Sequence, residues 1–179
     1  LHKLGCTFEF FKAIDGREEK VKYHSNEIMS QQEGWNEGAA GLVYTTINII
    51  KDAKAKGYKS VLIMEDDLIF HPKAYENIKL TLSRLPSNWK LFHFALQHTI
   101  PPTMYGMYAY RINGGWSCQA YIIKEEIYDE YLEYLELVDR PIDSVTSDFL
   151  HPQGFAYCPT RKIIKTVPNI STIRGEFIN

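Results

Sequence analysis

Glu65, Asp66 and Asp67 follow directly on the apolar run Val61-Leu62-Ile63-Met64. Two like charges at ~4 Å repel by about 1 kcal/mol in water, and by several times more in a partly dry site. A divalent cation is the simplest offset. In a strand, side chains alternate, so Glu65 and Asp67 share one side and Asp66 takes the other. Two carboxylates so placed can hold a hard cation, Mg²⁺ or Mn²⁺, and leave coordination positions open for phosphate oxygens. The competing reading is an acidic turn in solvent, or an N-cap cluster for the next helix. The chain has no GxxxxGK[ST] and no GxGxxG, so a diphosphate would be held through metal rather than by a glycine-rich loop.

These acids need a scaffold, and the pattern supplies one. Ser60–Met64 is a short continuous apolar run, which reads as a strand buried on both faces. Leu68–Phe70 resumes it, and Leu91–Leu96 reads as a second buried strand. Phe8–Ile14 reads as an early strand ending at Asp15-Gly16-Arg17, followed by a polar loop over Glu18–Asn36. Helical spacing covers Gly38–Lys56, with Leu42, Ile49 and Ala53 on one stripe beside Val43 and Ile50, and Gly57 as the stop. Further helices fit Lys73–Arg84, Glu125–Leu137 and, more briefly, Ile142–Leu150. Tyr105–Ile123 reads as two strands around Asn113-Gly114-Gly115, and Phe155–Tyr157 as a last one. Strands alternating with helices imply an α/β fold, with a mainly parallel central sheet and helices on both faces. In such a sheet the C-terminal strand ends open into the ligand crevice.

The 179 residues are 45% hydrophobic with a formal net charge of -2, and they read as one domain, residues 1–179. Near-neutrality removes any global attraction to nucleic acid or anionic membrane. No apolar run approaches the length of a transmembrane segment. Three cysteines (Cys6, Cys118, Cys158) without CxxC spacing suggest neither a zinc site nor a disulfide framework. They favour a reducing compartment, hence a cytoplasmic protein, with peripheral membrane association as an alternative.

Val61–Leu68 resembles the hydrophobic strand plus EDD of glycosyltransferase family 25, which includes lipopolysaccharide sugar transferases and collagen galactosyltransferases. Phe8–Gly16 is similar to that family's early segment ending in Asp-Gly. Gly38-Ala39-Ala40-Gly41 stands where the family has its GxxG helix opening. Gly115–Ile123, Arg140-Pro141-Ile142-Asp143 and Ser171-Thr172-Ile173 resemble three later motifs. Order and spacing agree over nearly the whole chain. The departures are Leu42 and Thr45-Thr46 in place of the family's Cys and Ser-His, and the absence of its first, nucleotide-binding strand.

The resemblance implies a GT-A-like three-layer sandwich. It also implies a metal-dependent inverting glycosyltransferase moving a sugar from a nucleotide sugar, first a UDP-sugar, to a hydroxyl of a glycan or glycoprotein. Glu65 and Asp67 are then the metal ligands for Mn²⁺ or Mg²⁺, with His151 as a candidate third; otherwise His151 is an ordinary loop histidine. Asp66 faces the ribose or donor sugar. Asp143 is the candidate base, from the P-v-D motif, with Asp148 in reserve; either acid could instead cap a helix. Asp15, with Arg17 beside it, could meet uracil or ribose, or be a plain turn acid. Trp116 could stack on a sugar, or be a core aromatic. Tyr128, Tyr131 and Tyr134 read as a packing stripe, and His93 as a histidine packed within its apolar strand. Two rival functions are a catalytically degenerate sugar- or nucleotide-binding module and a metal-dependent phosphoryl-transfer enzyme.

Overall fold

A computed structural model describes residues 8–24, 36–161, 163–166, 169–170 and 177–178. Cys6, the middle of the Glu18–Asn36 loop and the Ser171-Thr172-Ile173 motif lie outside the described residues.

Helix α1 (Glu37–Ala55) starts where Asn36 accepts a hydrogen bond from the Ala39 amide at 3.1 Å, with Glu37 in the first turn facing the positive end of the helix dipole. Gly57, at φ 68°, ends it as expected. The buried stripe is Ala40, Val43, Ile47, Ile50 and Ala53, one position round from the expected one, so Leu42 and Ile49 are only half-buried.

Strands β1 (Ser60–Met64), β2 (Leu68–Phe70) and β3 (Leu91–His93) follow, with α2 (Ala74–Leu82) between β2 and β3. Next come β4 (Gln97–His98), β5 (Thr103–Tyr105), β6 (Ala109–Arg111), β7 (Gly115–Trp116) and β8 (Ala120–Lys124). The Tyr- and Gly-rich stretch from Tyr105 to Ile123 therefore carries three strands rather than two. A 3₁₀ turn at Glu125–Ile127 leads into α3 (Tyr128–Leu135). Helix α4 (Ile142–Val145) continues into a π-helical turn at Thr146–Leu150 and a 3₁₀ turn at His151–Gln153, which stops at Gly154 with φ 78°. Strands β9 (Ala156–Pro159), β10 (Ile164–Thr166), β11 (Asn169–Ile170) and β12 (Phe177–Ile178) complete the order.

The main sheet runs β1-β8-β3-β9-β6-β5. It is mixed, and the expectation of a mainly parallel sheet is corrected. Only β3 and β9 pair in parallel; the other four pairings are antiparallel. The physical reason lies in the connections. The connection through α2 joins β1 to β3 running the same way, but the β5–β6 hairpin turns the chain back, so β6 and β8 run opposite to β1 and β3, and the helical connection after β8 reverses the chain again into β9. Strand β8 then inserts between β1 and β3.

Alternation along the strands feeds two cores. Leu91, Ile123, Ala156 and Cys158 pack on one face beneath α1, α3 and α4. Phe92, Ala120 and Tyr157 pack on the other beneath α2, around Ala74 and Ile78. Helices on both faces are thus present. Tyr128 and Tyr131 are buried in the first core, and Tyr134 stacks on Phe149 with ring centroids 4.3 Å apart, so the tyrosine stripe is a packing device.

The expected strand at Phe8–Ile14 is corrected to an irregular segment. Its Phe8, Phe10 and Phe11 are exposed, and it pairs with no strand among the described residues. What fixes it is contact with α1: the Ile14 amide donates to Thr45 Oγ1 at 2.9 Å. Gly16 and Gly41 allow that approach. A Cβ on Gly16 would stand 1.8 Å from the Glu37 carbonyl oxygen, and one on Gly41 would stand 2.4 Å from the Ile14 oxygen.

Candidate functional site: an unpaired carboxylate cluster

The sheet presents Glu65 just past the C-terminal end of β1, where its amide donates to the Gln119 carbonyl at 2.9 Å. Gln119 immediately precedes β8, so the antiparallel β1–β8 pair brings the loop Trp116–Gln119 against the acidic triplet. That loop in turn reaches α4, where the Cys118 amide donates to Asp143 Oδ1 at 2.8 Å. Cys118 Sγ and Thr146 Oγ1, 3.2 Å apart, tie the loop to the π-helical turn a second time. Ser117 has φ 97°, a conformation a side-chain-bearing residue adopts at a cost of order 1–3 kcal/mol.

Asp66, Asp67 and Asp143 thereby lie within electrostatic reach of Glu65. Burial, then the negative charges of Asp67, Asp143 and Asp66 in that order, push the Glu65 carboxyl up to about 7. Asp67 acts on Glu65 more strongly than Asp66 does, although β1 ends at Met64 and the three acids lie in the bend beyond it. None of these four acids forms an ion pair among the described residues, and Asp67 Oδ1 is buried without a hydrogen-bond partner. Such a site is short of positive charge. The donor set, all carboxylate oxygen, suits a hard divalent cation. Among the described residues, no three His, Cys, Asp or Glu side chains already stand at the spacing of a finished metal site.

The other expected residues divide. Trp116 is exposed, at 48%, on β7 beside the loop, so it is not a core aromatic. Asp143 does not cap α4; its side chain reaches across to Cys118. Asp148 is exposed and bound to Arg140 Nη1 at 2.9 Å, an ion pair shared with Asp139. The Arg17 guanidinium donates twice to the Asp15 carboxylate, at 3.0 and 3.1 Å, its backbone amide donates a third time at 3.0 Å, and Arg17 so holds the Asp15 carboxyl below its ordinary range. Their hydrogen bonds are local and do not join the carboxylate cluster. A cavity of about 380 Å³ lies beside Arg17, lined also by Gly16, Lys20, Val21, Tyr23 and Glu37, at the small end of ligand clefts.

His151 is fully buried, and its partner is His93 rather than a carboxylate: the two Nε2 atoms are 3.2 Å apart. Burial drives His151 down to about 4, with the neighbouring His98 adding to the effect. His93 is held well below 6.5 by burial and then by His151. Sequence reading found His93 buried but missed this contact, as well as His98, Thr146 and the Cys118 amide. Each of these depends on a pairing distant in sequence, and none lies in a short motif.

No protein-family model and no curated protein matches the chain.

Proposed function

We propose that the protein is a metal-dependent, inverting glycosyltransferase that moves a sugar from a nucleotide sugar, first a UDP-sugar, to a hydroxyl of a glycan or glycoprotein in the cytoplasm. The observation that carries this reading is the half-buried carboxylate cluster with no cationic partner among the described residues, centred on Glu65 and Asp67 just past the end of β1. The resemblance of the surrounding strand to glycosyltransferase family 25 adds the reaction class, and the six-stranded sheet with helices on both faces is then read as GT-A-like.

In this reading Glu65 and Asp67 would hold Mn²⁺ or Mg²⁺, which would supply Lewis-acid neutralisation of the departing diphosphate. Asp143 takes the proton of the acceptor hydroxyl, and the Cys118 amide keeps its carboxylate aimed. Trp116, exposed on the adjoining strand, gives a sugar ring an aromatic face to lie on. Asp66, also exposed, meets the donor ribose or sugar. Arg17 borders the cavity beside α1, and it and Asp15 would contribute to the donor site by parting their mutual ion pair.

The test is turnover of UDP-sugars by the full chain with Mn²⁺, with calorimetry of UDP binding in parallel. Asp67→Ala should lower turnover by about 100-fold or more. A variant as active as the parent would end the metal assignment. Absence of UDP and Mn²⁺ binding in the parent would favour a fold that has lost its enzymatic role.

A further inference from the structure

The net charge of -2 conceals a segregation. Residues 68–124 hold Lys73, Lys79, Arg84, Lys90, Arg111 and Lys124 against Glu76 alone, a formal charge of +5. No acid stands between Asp148 and Glu176 either, a stretch that includes Arg161. The β5–β6 hairpin brings these two basic stretches together. Thr81 Oγ1 and the Thr160 amide both donate to the Tyr108 carbonyl, at 3.4 and 3.0 Å. Thr160 Oγ1 also donates to the Met107 carbonyl, at 3.2 Å. Arg84, whose amide donates to the Thr81 carbonyl, and Arg161, next to Thr160, therefore flank the hairpin turn. Arg111 lies on β6 itself, opposite Thr103. All three arginines are exposed and form no ion pair among the described residues, whereas Arg17 and Arg140 are both paired.

The same hairpin is apolar where it meets solvent. Of the twelve large hydrophobic residues exposed among the described ones, Ile100, Met104, Tyr105 and Met107 fall within eight positions. Met104 is 60% exposed and Met107 77%. Scattered single side chains would be ordinary, but a cluster on one turn marks a contact surface. Strand β5 is also the free edge of the sheet, yet another strand would gain little by pairing there. It has three residues, Pro101-Pro102 precede it, and Gly106 turns the chain away at φ 62°. What remains is a projecting turn of flexible methionines, which suits a deformable surface better than a shaped one.

We propose that the β5–β6 hairpin docks this protein on an anionic phospholipid bilayer. Ile100, Met104 and Met107 enter the boundary between headgroups and acyl chains, and Tyr105 lies at headgroup level. Arg84, Arg111 and Arg161 donate to lipid phosphates, which a guanidinium meets with two parallel N–H groups. Charge complementarity selects this occupant: three free guanidiniums around an apolar turn, with no acid between Glu76 and Lys124, match a negative surface with an apolar interior. Glu65 and Asp67 do not oppose the contact. They follow β1, and β1 and β5 are opposite edges of the six-stranded sheet. Five strand spacings put those edges about 24 Å apart, and the screening length at physiological salt is about 8 Å. The contact uses neither metal nor nucleotide, so it stands independently of the proposed sugar transfer.

The test is co-sedimentation of the full chain with vesicles, without metal or nucleotide sugar. One set is about one-third phosphatidylserine in phosphatidylcholine, the other phosphatidylcholine alone. Binding should be at least about tenfold tighter to the anionic set. It should fall steeply from about 0.1 to 1 M salt, as the screening length drops from about 10 to 3 Å. Arg84→Gln, Arg111→Gln and Arg161→Gln should each weaken it about fivefold. Met107→Ser should weaken it about tenfold, whereas Phe10→Ser, at a residue 92% exposed outside the hairpin, should bind like the parent. Met107→Trp should add emission that shifts to the blue on anionic vesicles alone. The side chains replaced are all exposed, so each variant should keep the parent's urea midpoint. A parent that leaves anionic vesicles unbound, or binds both sets equally, would overturn the assignment. So would Met107→Ser binding as tightly as the parent, or an acidic protein bound where vesicles are not.

Discussion

The Cys118 amide donates to Asp143 Oδ1 at 2.8 Å, and so fastens the N-terminus of a four-residue helix to the loop that carries an exposed tryptophan. Neither residue is close to the other in the chain. The bond gives Asp143 a fixed direction that an acid in an N-cap would not have. In the proposed reaction, Asp143→Asn keeps the shape of this contact and removes the base. Turnover should fall by about 10²–10⁴ with little change in UDP binding. Asp148→Asn, in an exposed ion pair with Arg140, should change stability by no more than about 1 kcal/mol and leave turnover alone. Equal loss in both variants would remove Asp143 from its role.

Glu65 makes the stability of the metal-free protein depend on pH in a particular direction. Its carboxyl is raised from 4.5 to about 7 in the folded state, so between those values the folded chain holds a proton that the unfolded chain has lost. Its contribution is most favourable below pH 4.5 and is lost as pH rises through 7. Glu65→Gln should therefore be more stable than the parent at pH 8, by about 2–3 kcal/mol at most, and the gap should close on acidification to pH 5. Comparing parent and variant cancels the opposite trend of the buried histidines. Mn²⁺ should also narrow the gap at pH 8. Urea unfolding at several pH values measures it, and a gap independent of pH would contradict the half-buried, repelled carboxyl.

The close approach of residues 14–16 to α1 should be intolerant of a methyl group. Gly41→Ala and Gly16→Ala place a Cβ 2.4 and 1.8 Å from backbone oxygens, which cannot yield as a side-chain tip would. Each should cost about 1–3 kcal/mol or more by denaturant midpoint. Gly57→Ala, with nothing within 4 Å, is strained only by its φ of 68° and should cost less, about 1 kcal/mol. A methyl tolerated at Gly16 would mean that the segment is not seated as described.

Trp116 is exposed on a two-residue strand, so Trp116→Ala should alter stability by under about 1 kcal/mol. Its effect should fall on sugar binding instead, raising a KM by about 10-fold, as loss of a stacking face does. Measuring KM for donor and acceptor separately assigns the face to one of them. A variant indistinguishable from the parent in both would leave Trp116 with no part in binding.

Local pattern alone determined the placement of α1, α2 and α3, the limits of β1, and the position of the acidic triplet at that strand's end. These follow from side-chain periodicity and from glycine and asparagine at helix ends, which act over a few residues. Tertiary structure decided the rest. Whether β8 lies beside β1 is set by strand registers across dozens of residues, and that insertion turned an expected parallel sheet into a mixed one. The same register brought Cys118 to Asp143, and it set His93 against His151, 58 positions away. A histidine in an apolar strand reads as packing until its neighbour is known, because burial is written in the local sequence and partnership is not.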